Sequence, residues 1–274
     1  MVSSFLFAVH CNHSKKMAKA TKKKQKKGRY LWLILLLIVL ALSTYIGYIL
    51  YQQNEAKFAI YPGYEIELPL GYDIHGIDVS YYQGYIYWPA VKKMQVKDVT
   101  IDFAFIKATE GLTNTDKQFS RNWQQARAAG ITRGAYHFFI PGKSGAMQAA
   151  HFIKKVTLLP GDLPPVLDVE QLYGTAPALM RQQLTEWLKA VEAAYDVKPI
   201  IYTNVAFYEN YLGKGFDEYP LWIAHYFAEK RPRTKTDWLF WQHNDRGKVN
   251  GIKAKVDFNV FKGDINSFNE LLLQ

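Results

Sequence analysis

The residues of this chain best suited to chemistry are Asp168 and Glu170, at the end of the run PPVLDVE from Pro164 to Glu170. Val166, Leu167 and Val169 favour extended backbone and two prolines precede them, so the run reads as a buried strand that stops at a site. Strand side chains alternate, which puts Asp168 and Glu170 on one face. Two carboxyl groups held a few ångströms apart do not both ionise freely, so one takes up a proton more readily than a free acid. A carboxyl still protonated near neutral pH can serve as a general acid, and the charge of Asp168 is the expected reason for Glu170 to keep its proton. D-x-E alone also occurs at helix caps and surface turns, so the weight comes from what surrounds it.

What must position the pair is a regular alternation of strands and helices. From Ile74 the chain reads strand IHGIDVS, helix near WPAVKKM, strand FAFIKATEG, helix QFSRNWQQARAAG, strand GAYHFFI, helix SGAMQAAHFIKKV and strand PPVLDVE. A long helix from about Pro177 to Tyr195 follows, then strand KPIIYTN, short helix NVAFYENYL, and strands PLWIAHY, DWLFWQHN and IKAKVDFNVF, with a hairpin near Gly247 to Gly251. Alternation of this kind implies parallel pairing with right-handed crossovers, and eight strands suffice to close a barrel. The predicted fold is α/β, an irregular eight-stranded (β/α) TIM-like barrel with five βα units and three closing strands. A doubly wound open sheet is the alternative, but no G-x-G-x-x-G follows the first strand.

Polar residues recur at the strand ends: Asp78, Lys107 and Glu110, His137, Asp168 and Glu170, Tyr202 and Asn204, His225 and Tyr226, Gln242 and Asn244. In a parallel barrel those ends meet on one rim, where such folds keep their chemistry. Asp257 joins them if the eighth strand runs back from a hairpin at that rim. Carboxylates interleaved with Tyr82, Tyr136, Tyr202, Trp222, Tyr226 and Trp241 offer ring faces and hydroxyl acceptors, a mixture suited to sugars, although each ring alone could be core filler. His137, His225 and His243 form no H-x-x-E-H, H-E-x-x-H or close Cys/His pattern, so neither a metal nor another cofactor is expected. Ser80 and Ser144 lack the G-x-S-x-G elbow of a triad hydrolase.

The net charge of +10 over 274 residues suggests nucleic acid until it is located. Residues 1–30 hold nine basic groups and no acid, whereas the remainder has 25 basic and 24 acidic residues, too balanced to neutralise many phosphates. Nucleic acid is therefore not an expected partner. The single cysteine, Cys11, excludes an intrachain disulfide. Residues 31–51 are uncharged and long enough to cross a bilayer, with Trp32 towards one end and Tyr45, Tyr48 and Tyr51 towards the other. The basic run before them predicts a single-pass anchor in the cytoplasmic membrane, with 1–30 a cytoplasmic tail and the C-terminal domain outside, periplasmic or extracellular. A cleaved signal would be shorter and end in small residues. Met17 is an alternative start. Residues 52–72 read as a linker without sustained periodicity, and 73–274 as the barrel domain.

Taken in order, HGIDVSYYQG, FAFIKATEG, RGAYHFF, PPVLDVE, PIIYTN, PLWIAHY, WQH and VDFNVF resemble glycoside hydrolase family 25, the Chalaropsis-type lysozymes, over about residues 73–263. The resemblance implies an irregular (β/α) barrel and hydrolysis of the β-1,4 bond between N-acetylmuramic acid and N-acetylglucosamine in peptidoglycan. By motif, Glu170 would be the general acid, with Asp78, Asp168 and Asp257 completing the acidic site. Tyr136, Tyr202, Trp222 and Tyr226 would line the sugar groove, with Gln242 a further substrate contact. Retaining, inverting and substrate-assisted routes, the last with Asp168 or Asp257 orienting the N-acetyl group, stay open. Two other readings are a glycan-binding protein that does not cut and a tethered scaffold.

Overall fold

The computed structural model describes residues 30–51, 57–226, 228 and 231–274. The N-terminal unit ends at Glu55, and its described part is one helix, α1 (Tyr30–Tyr51). The expected cytoplasmic tail and the alternative start at Met17 lie outside the described residues. The second unit runs from Ala56 to Gln274.

That unit is built on a closed barrel of eight strands: β3 (His75–Val79), β4 (Phe103–Glu110), β5 (Thr132–Phe138), β6 (Val166–Asp168), β7 (Ile200–Asn204), β8 (Leu221–Ala224), β9 (Phe240–Gly247) and β10 (Val256–Phe261). Pairing is parallel from β3 through β9, then antiparallel for β9–β10 and for β10–β3, which closes the ring. Helices α2 (Trp88–Lys93), α3 (Phe119–Ala128), α4 (Gly145–Lys155), α5 (Pro177–Tyr195) and the single turn α6 (Val205–Phe207) follow the first five strands, as the alternation predicts. α7 (Ile265–Leu271) follows β10.

Strands buried on both faces carry near-continuous apolar runs, and here the two faces divide cleanly. Phe103, Phe105, Val166, Ile200, Trp222, Phe240 and Phe261 pack into one cluster that fills the barrel. Gly76 and Gly134 leave room for it, since a Cβ at either would stand 2.4 to 2.6 Å from the ring of Phe103 or Phe105. Phe268 of α7 packs on Phe103 and Phe261 and closes one end. Stepping by two residues from this apolar fill towards the other end gives Asp78, Lys107, Tyr136, Asp168, Tyr202, Gln242, Asn259 and Asp257.

Among the described residues no crossover helix covers the outward face of β9 and β10, and residues expected to be a linker do that work. Phe58–Tyr61 and Ile66–Pro69 form an antiparallel hairpin, β1–β2. The ring of Tyr64 at its turn lies 5.1 Å from that of Phe258, and Phe58 lies 6.0 Å from Trp241. Burying a side chain of that size is worth about 1.5–3 kcal/mol, enough to tie down a short hairpin. Glu65 adds ion pairs to Lys248 and Lys255 at 2.8 Å each. The body thus begins near residue 57, not at 73, and four-residue strands broken by Pro and Gly had no periodicity to announce them.

Candidate active site

At the open end of the barrel lies a pocket of about 240 Å³ lined by Asp78, Asp168, Glu170 and Asp257 together with Lys107, Tyr136, Tyr202, Trp222, Tyr226 and Gln242. Asp168 is the last residue of β6, and Glu170 stands two residues beyond the strand, half-buried. Asp257 pairs with Asp78 across the antiparallel β10–β3 ladder, so the return strand does bring it to this rim.

The four acids are not equivalent. Asp78 Oδ2 accepts from Gln242 Nε2 at 2.7 Å and from Asn259 Nδ2 at 2.8 Å. Each amide is oriented from behind: Tyr202 and Tyr226 hydroxyls both donate to Gln242 Oε1 at 2.6 Å, and Trp222 Nε1 donates to Asn259 Oδ1 at 2.8 Å. An indole N–H can only donate, which fixes which way the Asn259 amide faces. Burial nevertheless pushes Asp78 up to about 6, the two amides and Asp257 holding it back. Asp257 is pushed up to about 9, by burial first and then by the charge of Asp78 and a hydrogen bond to it. At neutral pH the pair therefore holds a proton, on Asp257.

Asp168 is raised well above the usual carboxylate range, by burial and then by the charge of Glu170, with Lys107 acting against both. Its Oδ1 is buried and has no hydrogen-bond partner among the described residues. Glu170 is raised too, by burial first and then by the charge of Asp78. The proton expected on Glu170 from the charge of Asp168 thus has a different leading cause, and the Asp168–Glu170 repulsion falls on Asp168. Lys107 reaches Glu110 at 2.6 Å. That contact depends on a bulge in β4 between Lys107 and Thr109, which reverses the alternation and brings residue 110 to the same side as 107.

Sequence and fold comparisons point one way. The family model for glycosyl hydrolases family 25 matches residues 77–252. YegX of Escherichia coli (strain K12) is 46% identical over 202 residues, 74% of each chain, and Lysozyme M1 of Streptomyces globisporus is 36% identical over 205 residues, 69% of this chain and 68% of that one. The solved structure of a family 25 glycosyl hydrolase from Bacillus anthracis superposes with a TM-score of 0.68 at 34% identity, covering 74% of this chain and 94% of that one. The chain belongs to glycoside hydrolase family 25. It is a glycoside hydrolase of the lysozyme, or muramidase, kind.

In this family 25 chain several residues prominent in the sequence do other work. Gln242, expected to touch substrate, spends both ends of its amide on Asp78 and the two tyrosines. Trp222 is 2% exposed and stacks on Phe105 at 4.3 Å, so it forms the pocket floor. Trp241 faces outward to the hairpin. Asn204 caps α6, Asn244 accepts from the Arg246 backbone, Ser144 caps α4, and Ser80 accepts from the backbone of Tyr82. The histidines do not gather: His137 bonds Thr109 and Gln148, His225 accepts from the Arg233 N–H, and His243 is buried beside Trp241. Asn259 is the residue sequence reasoning missed. Its signal was the two-residue step from Asp257 in VDFNVF, which puts both on the inner face.

Proposed function

We propose that this protein is a membrane-anchored N-acetylmuramidase that hydrolyses the β-1,4 bond between N-acetylmuramic acid and N-acetylglucosamine in peptidoglycan, remodelling the wall close to its own membrane. The observation that carries the reading is the meeting of four carboxyl groups on one pocket with unequal hold on protons. Glu170, outermost and raised by burial, donates to the leaving sugar oxygen. Asp168, whose Oδ1 is buried without a partner among the described residues, accepts from the substrate, and an N-acetyl N–H is a fitting donor. Asp78, clamped by two amides and hydrogen-bonded to Asp257, is built to stay negative beside a sugar ring that gains positive charge in the transition state. Tyr136 and Tyr226 frame the groove.

The anchor rests on α1, 22 residues of mean hydropathy 2.6 in its most apolar window. At 1.5 Å per residue such a helix spans about 33 Å, against a hydrocarbon core of about 30 Å. Nine basic residues before it favour an inside N-terminus and an outside barrel. The test is to treat insoluble peptidoglycan with the full chain in detergent and excess chelator, reduce the products with borohydride and weigh them. Muramitol ends support a muramidase; glucosaminitol ends, or no new ends, refute it.

A further inference from the structure

Beside the pocket the chain runs YYQGYIYW from Tyr81 to Trp88 and leaves three large rings in solvent, Tyr82 at 71%, Tyr85 at 66% and Tyr87 at 54% exposure. Exposed aromatics in such density mark a contact surface more often than an accident. These are continuous with the active site, because Tyr82 and Gln83 line the pocket itself. The ring of Tyr81 lies 4.1 Å from that of Tyr82, and the Lys117 ammonium stands 4.9 Å over Tyr81. Further along, the Arg121 guanidinium stacks 3.8 Å over Tyr85 while donating to the Ile86 carbonyl at 3.0 Å. A shelf of rings carrying two cations therefore leads away from the acids.

The neighbouring acids do not cancel those cations. Asp116 is buried, and its oxygens accept from the backbone N–H groups of Tyr81 and Gln118 at 2.8 Å each. Glu110 is bound by Lys107. Cations set over rings are pre-positioned, which suits them to carboxylates arriving from solvent.

Building on the muramidase reading, we propose that this shelf is a second substrate contact, which takes the acidic peptide stems attached to muramic acid residues of the strand in the pocket. Glycan stripped of its stems keeps only a lactyl carboxylate close to the sugar ring; the cations fit carboxylates further out along a stem, and the shelf starts where the strand leaves the pocket. The enzyme then distinguishes stem-bearing peptidoglycan from bare glycan.

The experiment compares Lys117→Glu and the double change Lys117→Glu, Arg121→Glu with wild type, as full chains in detergent. Substrates are intact peptidoglycan and the same material stripped of stems by an amidase. The ratio of rates, stemmed over stripped, should fall about tenfold in the double variant, roughly the worth of two exposed ion pairs reversed in sign. Lys117 is exposed, so its single variant keeps the test valid if the Arg121 change disturbs folding, with a fall of about threefold. An unchanged ratio overturns the proposal, as does loss on both substrates alike. Co-sedimentation in a Glu170→Gln background reads the shelf without hydrolysis. Retention of stemmed material that depends on Lys117, with no cleavage by wild type, would leave the shelf standing and remove the muramidase reading. Equal retention of stemmed and stripped material, or displacement only by a soluble polyphosphate, would do the reverse.

Discussion

Asp257 stands directly opposite Asp78 in the antiparallel β10–β3 pair, and the two carboxyl groups are joined by a hydrogen bond. Unfolded, both acids titrate near about 4. Folded, they are pushed up to about 6 and about 9. The folded state therefore holds protons that the unfolded chain has already released, so stability is lost as pH rises from about 4 through about 9. We expect the thermal midpoint to fall from about pH 6.5, above which the buried histidines no longer oppose the acid pair, to about pH 9, and Asp257→Asn to flatten the fall, gaining several degrees at pH 8, where each kcal/mol is worth about 2–4 °C. Equal slopes in the two proteins would contradict this. On the acid side the sign reverses, because burial holds His137 and His243 down to about 3, so stability is lost as pH drops below about 6.5.

The amide clamp on Asp78 gives a second expectation. Asn259 and Gln242 stabilise the charged carboxylate, and removing either donor raises the pKa of Asp78. Asn259→Leu and Gln242→Leu should move the acid limb of the activity profile to higher pH and slow hydrolysis by about 10- to 100-fold, the worth of a hydrogen bond to a charged group. Trp222→Phe, which keeps an aromatic ring but loses the donor to Asn259 together with part of the buried indole, should act in the same direction by less. An acid limb that stays in place in a folded Asn259→Leu protein would remove the clamp from the mechanism.

Much of this site was legible because strand ends are where parallel barrels gather polar side chains. Asp78, Asp168, Glu170 and the parallel units around them follow from alternation and from apolar runs that stop at an acid. Asp257 was legible only on condition that its strand ran backwards, since parity places a side chain on a face but not at an end. Register was out of reach. Without it the hydrogen bonds that tie Gln242 to Asp78 and Trp222 to Asn259 cannot be read, although both residues line the pocket as expected. The hairpin at Phe58–Pro69 was hidden for another reason: what makes it fold is tertiary, a bare outer face of β9 and β10 that Tyr64 and Phe58 cover.

The proposed topology can be tested on cells. Protease added to spheroplasts should digest the barrel domain, while the basic segment before α1 should become accessible only after lysis. A barrel protected in intact spheroplasts would contradict an outside domain.

The central claim is that Glu170 is the acid that cleaves the glycosidic bond, and a single substitution addresses it. Glu170→Gln keeps the size of the side chain and removes its proton. The measurement is the initial rate of reducing-end release from purified peptidoglycan, wild type against Glu170→Gln, with thermal midpoint and binding to insoluble peptidoglycan taken on the same preparations. We expect the midpoint and binding to hold and the rate to drop by about 100-fold or more, the usual worth of a positioned acid. Near-normal turnover by a folded Glu170→Gln protein would contradict the account.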